Sequence, residues 1–254
     1  MKDYQGFKNN GNWYKGNLHS HTTVSDGKMT PEQSVEVYKE HGYNFLALSE
    51  HDIYTDYRKQ YNTDNFIMIP AIEASAILYQ EDGSSKRLEI HHLHGILGTS
   101  EMQKNAKAPL FTHMEHVPPQ KHYGTWRGRE ISQEVADMLR DRGCVVTYNH
   151  PIWSRVTEEE FIYTEGVQAL EIFNYNTVLE SNTGYDVTYW DRMLRMGKKI
   201  NGFASDDNHN EGLFEDSCGG WICVQAPELT HDAIIQNFLD GNYYSSAGDQ
   251  GLGH

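Results

Sequence analysis

The stretch that decides the fold opens at Thr30-Pro31-Glu32-Gln33, closes at His41-Gly42 and continues as Asn44-Phe45-Leu46-Ala47-Leu48-Ser49-Glu50-His51-Asp52. Thr30 is a helix cap, Pro31 suits the first turn, and Gln33 completes a capping box. Gly42 supplies the left-handed residue that stops a helix. The apolar run after it has strand length and ends in polar, ionisable residues. The same unit recurs with Ile131 to Arg142, Gly143 and Cys144-Val145-Val146-Thr147-Tyr148, followed by Asn149-His150-Pro151. It recurs again with Val187 to Met196, Gly197 and Ile200 to Ala204, followed by Ser205-Asp206-Asp207-Asn208-His209. A last copy runs from Thr230 to Asp240, through Gly241, to Tyr243-Tyr244-Ser245-Ser246. Phe66 to Ile72, ending in Glu73, and Val167 to Phe173, ending in Asn174, read as further strands. Helix, glycine stop and short strand in repetition predict an α/β fold with a parallel sheet. In such folds ligands gather at the carboxyl ends of the strands.

Two segments break the rhythm. Ala74 to Leu97 holds two strand-like runs around Glu81-Asp82-Gly83-Ser84-Ser85, which predicts an antiparallel hairpin. Thr99 to Gly128 is long for a connection, and loops of that length are often functional. No stretch reads as a linker, so residues 1–254 are expected to form one domain.

Composition narrows the function. Lys+Arg 21 against Asp+Glu 36 gives a net charge of −15, a poor match for long nucleic acid or an anionic membrane. No apolar run approaches a membrane span, and Met1 to Phe7 has no apolar signal core. Cys144, Cys218 and Cys223 form no CxxC and are odd in number, as expected of a reduced, cytoplasmic protein.

The 14 histidines are the unusual feature, and position sorts them. His19-Ser20-His21 follows a short strand-like run, where residues two apart share a face and can reach one cation. His51 lies between Glu50 and Asp52. Glu73 closes an apolar run, where burial is costly unless a cation neutralises it. In His91-His92-Leu93-His94, His92 and His94 share a face that His91 opposes. His150, Asp207 and His209 follow later strands. His41, His113, His116, His122, His231 and His254 sit at helix ends, in loops or at the terminus, and read as ordinary. Imidazoles and carboxylates without thiolates suit Mn²⁺, Fe²⁺ or Zn²⁺. The number of ligands exceeds one four-coordinate site, so two or three divalent ions are expected, in a hydrolase.

These residues resemble the PHP (polymerase and histidinol phosphatase) domain family. Gly16-Asn17-Leu18-His19-Ser20-His21-Thr22-Thr23 with Ser25-Asp26-Gly27 is similar to its first motif, and Leu46-Ala47-Leu48-Ser49-Glu50-His51-Asp52 to its second. Ile72-Glu73-Ala74-Ser75, Asn149-His150-Pro151 and Asp207-Asn208-His209 are similar to later ones, in the same order. The tail from Leu239 to Gly248 resembles that of small stand-alone members.

The resemblance implies a distorted TIM-like (β/α)7 barrel with a trinuclear site at the carboxyl ends of its strands. It implies as ligands His19, His21, Asp26, His51, Glu73, one of His92 and His94, His150, Asp207 and His209. Reading from Ser205-Asp206 selects Asp206 instead of Asp207; Asp207 fits the Asp-x-His spacing. The expected activity is hydrolysis of a small phosphomonoester or nucleotide by attack of a metal-bridging hydroxide. Glu73 would bridge two ions, Asp207 ligate, His209 protonate the leaving group and Arg155 anchor the phosphate, with Arg127 and Arg129 as second choices. Rival readings are a carboxyl or carbamate ester hydrolase, a 3′-to-5′ nuclease acting on short nucleotides, and a non-catalytic metal-binding module.

Overall fold

The computed structural model describes residues 7, 11–212 and 215–248; the expectation for Met1 to Phe7, apart from Phe7 itself, and that for His254 lie outside them. In chain order the first elements are β1 (Asn12–Asn17), α1 (Pro31–Glu40), β2 (Phe45–Leu46), β3 (Ile53–Tyr54), α2 (Arg58–Tyr61) and β4 (Ile67–Met68). There follow β5 (Ala71–Tyr79), β6 (Arg87–Leu97), α3 (Ser100–Lys104), β7 (Glu115–His116), β8 (Gln120–Tyr123), α4 (Gly128–Asp141) and β9 (Cys144–Tyr148). Next come α5 (Pro151–Ser154), α6 (Glu158–Phe161), β10 (Val167–Asn174), α7 (Tyr175–Ser181) and α8 (Val187–Arg195). The last are β11 (Asn201–Ser205), β12 (Trp221–Ala226), α9 (His231–Leu239) and β13 (Tyr243–Ser246).

The helices start and stop where side chains dictate. Thr30 Oγ1 accepts the Gln33 N–H at 3.2 Å while Gln33 Oε1 accepts the Thr30 N–H at 2.8 Å, the reciprocal capping box of α1. Thr230 caps α9 through the Ala233 N–H. Each of the four glycine stops, Gly42, Gly143, Gly197 and Gly241, has positive φ. Along α4, Ile131, Val135, Ala136 and Leu139 fall on one buried stripe.

The strands form a mixed α/β arrangement in which the expected parallel pairs and antiparallel hairpin are joined by further antiparallel pairs. One sheet has the order β13-β12-β1-β2-β4, a second β11-β10-β9-β6-β5-β8, and β3 pairs with β7. β1–β2, β2–β4, β9–β10 and β10–β11 are parallel; β5–β6, β6–β9, β1–β12 and β12–β13 are antiparallel. The expected strand Phe66 to Ile72 divides at Ile69-Pro70. Proline has no N–H for the ladder, and there the chain leaves one sheet and enters the other. β5 and β6 make the hairpin, with Ala71 opposite Ile96 and Glu73 opposite His94. The expected long loop from Thr99 to Gly128 carries structure: β8 adds to β5 in parallel and β7 pairs with β3.

Side-chain alternation builds two apolar layers. Ile72, Ala74, Leu93, Val146 and Leu170 pack toward α4 in one core cluster. Ala71, Ile96, Val145, Ala169 and Phe203 point the other way and meet Leu18, Phe45 and Ile222 of the first sheet. One step further along that second face the residues turn polar: Glu73, His94, Thr147, Glu171 and Ser205, all buried. Backbone bonds join the sheets at this level, from Asp207 N–H to the His19 carbonyl (2.9 Å) and from His21 N–H to the Asn208 carbonyl (3.1 Å). Among the described residues, no helix is long and apolar enough to cross a membrane.

Candidate metal centre

The polar layer is roofed by the segments that leave β1, β2, β9 and β11. His19 and His21 extend from β1, His51 follows β2, His150 follows β9, and Asp207 and His209 follow β11. Glu73 is at their centre. It is the third residue of β5, not its last as the sequence reading placed it, and it is fully buried. Glu73 Oε1 lies 3.1 Å from His19 Nε2, 3.3 Å from His150 Nε2 and 3.5 Å from His92 Nδ1. Glu73 Oε2 lies 3.0 Å from His51 Nδ1 and 3.4 Å from His21 Nε2. Asp207 Oδ1 is 2.9 Å from His21 Nε2 and 3.0 Å from His19 Nε2.

Asp26 sits at the half-exposed rim, 3.4 Å from His209 Nε2 and 3.6 Å from His51 Nε2. Four groups of donor atoms result: His19, His21, Glu73 and Asp207; His51, Glu73 and His92; His21, Asp26, His51 and His209; and His19, His150 and Glu171. A cavity of about 350 Å³ opens over them, lined also by Arg87, Trp153, Asn176 and Glu180.

Several of these atoms are close yet misaligned for hydrogen bonding. His51 Nδ1, His92 Nδ1, Glu73 Oε2 and Asp207 Oδ1 are buried without a hydrogen-bond partner. A buried carboxylate or imidazole atom left unpaired is costly. Donor atoms aimed at common points instead of at one another are what coordination of cations requires, so the residues present fit divalent metal ions.

Without cations, protons balance the charge. Burial raises the pKa of Glu73, but His19 and His92 outweigh it and hold the group well below the usual carboxylate range. Burial disfavours charge on His21, yet Asp207 and Glu73 lift its pKa to about 10. Bound metal would displace such protons.

Backbone conformation aims the ligating side chains. His150 (φ 27°) and Asp207 (φ 54°) adopt left-handed conformations that cost a residue with a Cβ about 1–2 kcal/mol. Such residues concentrate at functional sites.

The members of each open pair are placed differently. His92 lies in the cluster, whereas His94 is one layer below, its ring against His19 at 4.2 Å and its Nδ1 3.3 Å from Thr147 Oγ1. Asp207 lies in the cluster. Asp206 is turned away and accepts the Tyr38 hydroxyl (2.6 Å) and the N–H groups of Cys218, Gly219 and Gly220 (2.8, 2.8 and 2.7 Å), a structural anchor.

Arg155, Arg127 and Arg129 lie elsewhere. Arg155 does not line the cavity: it stands in the left-handed region just after α5 and its Nη2 donates to the Arg87 carbonyl at 2.9 Å. Arg127 and Arg129 do not line it either; Arg129 stacks on Tyr163. Arg87, at the start of β6, does line it. None of residues 99–128 lines this cavity.

Glu171 escaped the sequence reading. It is fully buried in β10, accepts His19 Nδ1–H at 2.8 Å, the His150 N–H at 3.0 Å and Asn174 Nδ2 at 2.9 Å, and also takes the Ser205 hydroxyl. Its signal was present: a carboxylate inside an apolar strand run, the reasoning that singled out Glu73. Glu50 is likewise buried and holds the Thr22 and Ser25 N–H groups (3.0 and 3.2 Å), fixing the loop that carries Asp26.

No family model matches this sequence, and no curated protein matches it. Among solved structures it is similar to a two-domain protein containing a predicted PHP-like metal-dependent phosphoesterase from Bacteroides vulgatus, with TM-score 0.55 and 14% identity over 98% of this chain and 68% of that one. It is also similar to an amidohydrolase from Chromobacterium violaceum with bound sulfate and no metal, with TM-score 0.51 and 13% identity over 90% of this chain and 97% of that one. At such identities the likeness concerns the fold, which is PHP-like.

Proposed function

We propose that this protein is a metal-dependent hydrolase that releases phosphate from a small phosphomonoester or nucleotide. The observation that carries it is the convergence of five imidazoles on the buried Glu73, with His51 Nδ1, His92 Nδ1 and Glu73 Oε2 left without a hydrogen-bond partner. We read the two sheets, joined beside His19 and Asp207, as a distorted (β/α)7 barrel carrying the site at one end.

His19, His21, Glu73 and Asp207 would hold one divalent ion, His51, Glu73 and His92 a second, and His21, Asp26, His51 and His209 a third, with His150 beside His19 and Glu73 Oε1. Such ions, of Mn, Fe or Zn, supply Lewis acidity for hydrolysis near neutral pH and neutralise charge gathering on phosphoryl oxygens. Glu73, with an oxygen toward each of the first two donor groups, would set their separation. His209 faces the cavity with Nδ1 held by the Asp207 carbonyl at 2.8 Å, which leaves Nε2 to hold the third ion or, where that group holds none, to carry a proton toward a departing alkoxide. Arg87, which lines the cavity, adds positive charge that favours an anionic substrate, while the phosphate itself would be held by the metal ions.

The test is phosphate release by Mn²⁺-loaded protein from sugar phosphates, nucleotides and histidinol phosphate, with metal content measured alongside. Activity is expected, and His19→Ala or Asp207→Ala should lower it on the order of 10³-fold with loss of bound metal. Faster turnover of p-nitrophenyl acetate than of p-nitrophenyl phosphate would replace this reading with an acyl hydrolase. Full metal and activity in both variants would remove the assigned site.

A further inference from the structure

The hairpin outlasts the metal centre. On β5 the residues Glu73, Ser75, Ile77 and Tyr79 share one face, because side chains alternate along a strand. Ser75 lies opposite His92, and Tyr79, beyond a register shift, lies opposite Arg87. β8 continues the row outward, with Lys121 beside Ile77 and Tyr123 beside Tyr79. The face that holds the metal ligands therefore extends from Ser75 to Tyr79, roughly 13 Å at strand rise. Past Arg87 it forms the floor of a second cavity, about 460 Å³, lined by Ile77, Tyr79, Arg87, Lys121 and Tyr123.

Arg87 lines both cavities. Tyr79 and Tyr123 stack with ring centroids 5.5 Å apart, and Tyr123 is 58% exposed. In a chain of net charge −15, neither Arg87 nor Lys121 forms an ion pair with any described carboxylate. Two unpaired cations beside an exposed ring pair favour a flat, anionic group.

We propose that Arg87, Lys121 and the Tyr79–Tyr123 pair form a leaving-group subsite, which selects phosphate esters whose alcohol part is an extended aromatic bearing a second negative charge. The proposal rests on the phosphoesterase reading for its chemistry and on the second cavity for its selectivity. The distal anion meets Lys121 and Arg87 while the ester lies over the metal centre.

The experiment compares 4′-carboxybiphenyl-4-yl phosphate with biphenyl-4-yl phosphate on Mn²⁺-loaded protein. The carboxylated ester should have a kcat/KM about tenfold higher, with the difference in KM, as expected for one added charged contact. Arg87→Ala and Lys121→Ala should each bring that ratio toward one, and Arg87→Lys should keep most of it. The corresponding two phosphonates, titrated calorimetrically, give the same ratio without turnover. Equal affinity of the phosphonates for the wild-type protein, or an unchanged ratio in Lys121→Ala, overturns the subsite even where hydrolysis persists. Preferential binding of the carboxylated phosphonate, lost in the variants, with no ester hydrolysed, leaves the subsite standing and removes the phosphoesterase reading.

Discussion

His91 and His92 are neighbours in β6 and have opposite environments. His91 faces α4: its ring stacks on Trp126 at 5.0 Å, its Nδ1 is hydrogen-bonded to the Tyr148 hydroxyl, and burial pushes its pKa down to about 4. His92 faces the cavity, 3.5 Å from Glu73 and among the donor atoms of the metal centre. Both are buried and they differ by one step of a strand, so the pleat alone separates a packing histidine from a candidate ligand. In this molecule a histidine's role follows from the face it occupies.

Substitution on either side of the strand sharpens that contrast. His92→Ala should lose metal and lower phosphate release about 10²-fold or more, with little change in the far-UV spectrum. His91→Ala should keep its metal and rate at permissive temperature and lose about 2–4 kcal/mol of stability, from the buried ring it removes. Equal metal loss in both variants would break the comparison. A smaller effect is expected one shell away, at Glu171→Gln. The amide nitrogen would face the His150 N–H and the Asn174 amide, both donors, and disturb the orientation of His19. Metal affinity, measured by chelator competition, should fall about 10–100-fold with the ligand set intact. Unchanged affinity would reduce Glu171 to a packing role.

The smallest effect concerns a buried acid beneath the cavity wall. Asp186 accepts the Ile152 N–H at 3.1 Å, its other oxygen has no partner, and burial raises its pKa to about 8. The folded state thus binds a proton that the unfolded state releases near pH 4, so this group's contribution is full below about pH 4 and is lost as pH rises toward 8. Asp186→Asn should remove that loss, raising Tm relative to the natural chain by about 3 °C or more at pH 9 and by less at pH 5. A difference independent of pH would show that Asp186 does not titrate in this range.

Local signals carried much of the architecture. Thr30 and Gln33, the glycines at 42, 143, 197 and 241, and the apolar stripe of α4 were legible because each acts within a few residues. β12 was not: Trp221–Ala226 has no cap or stop of its own and becomes a strand by pairing with β1 and β13, which are distant in sequence. β2 and β4 are two residues each, shorter than their apolar runs.

The sequence alone determined the chemical inventory. His19-Ser20-His21, Glu50-His51, Glu73, Asn149-His150 and Asp207-Asn208-His209 supply nitrogen and carboxylate donors without thiolate, a choice of chemistry written in residue type. Only the tertiary structure decided which donors meet. It chose Asp207 over Asp206, set His92 above His94, moved the cavity's arginine from Arg155 to Arg87 and brought in Glu171. Those decisions turn on whether a side chain points to one face of a strand or the other and on which strands lie side by side. Both are fixed by long-range register, to which no short window of sequence has access.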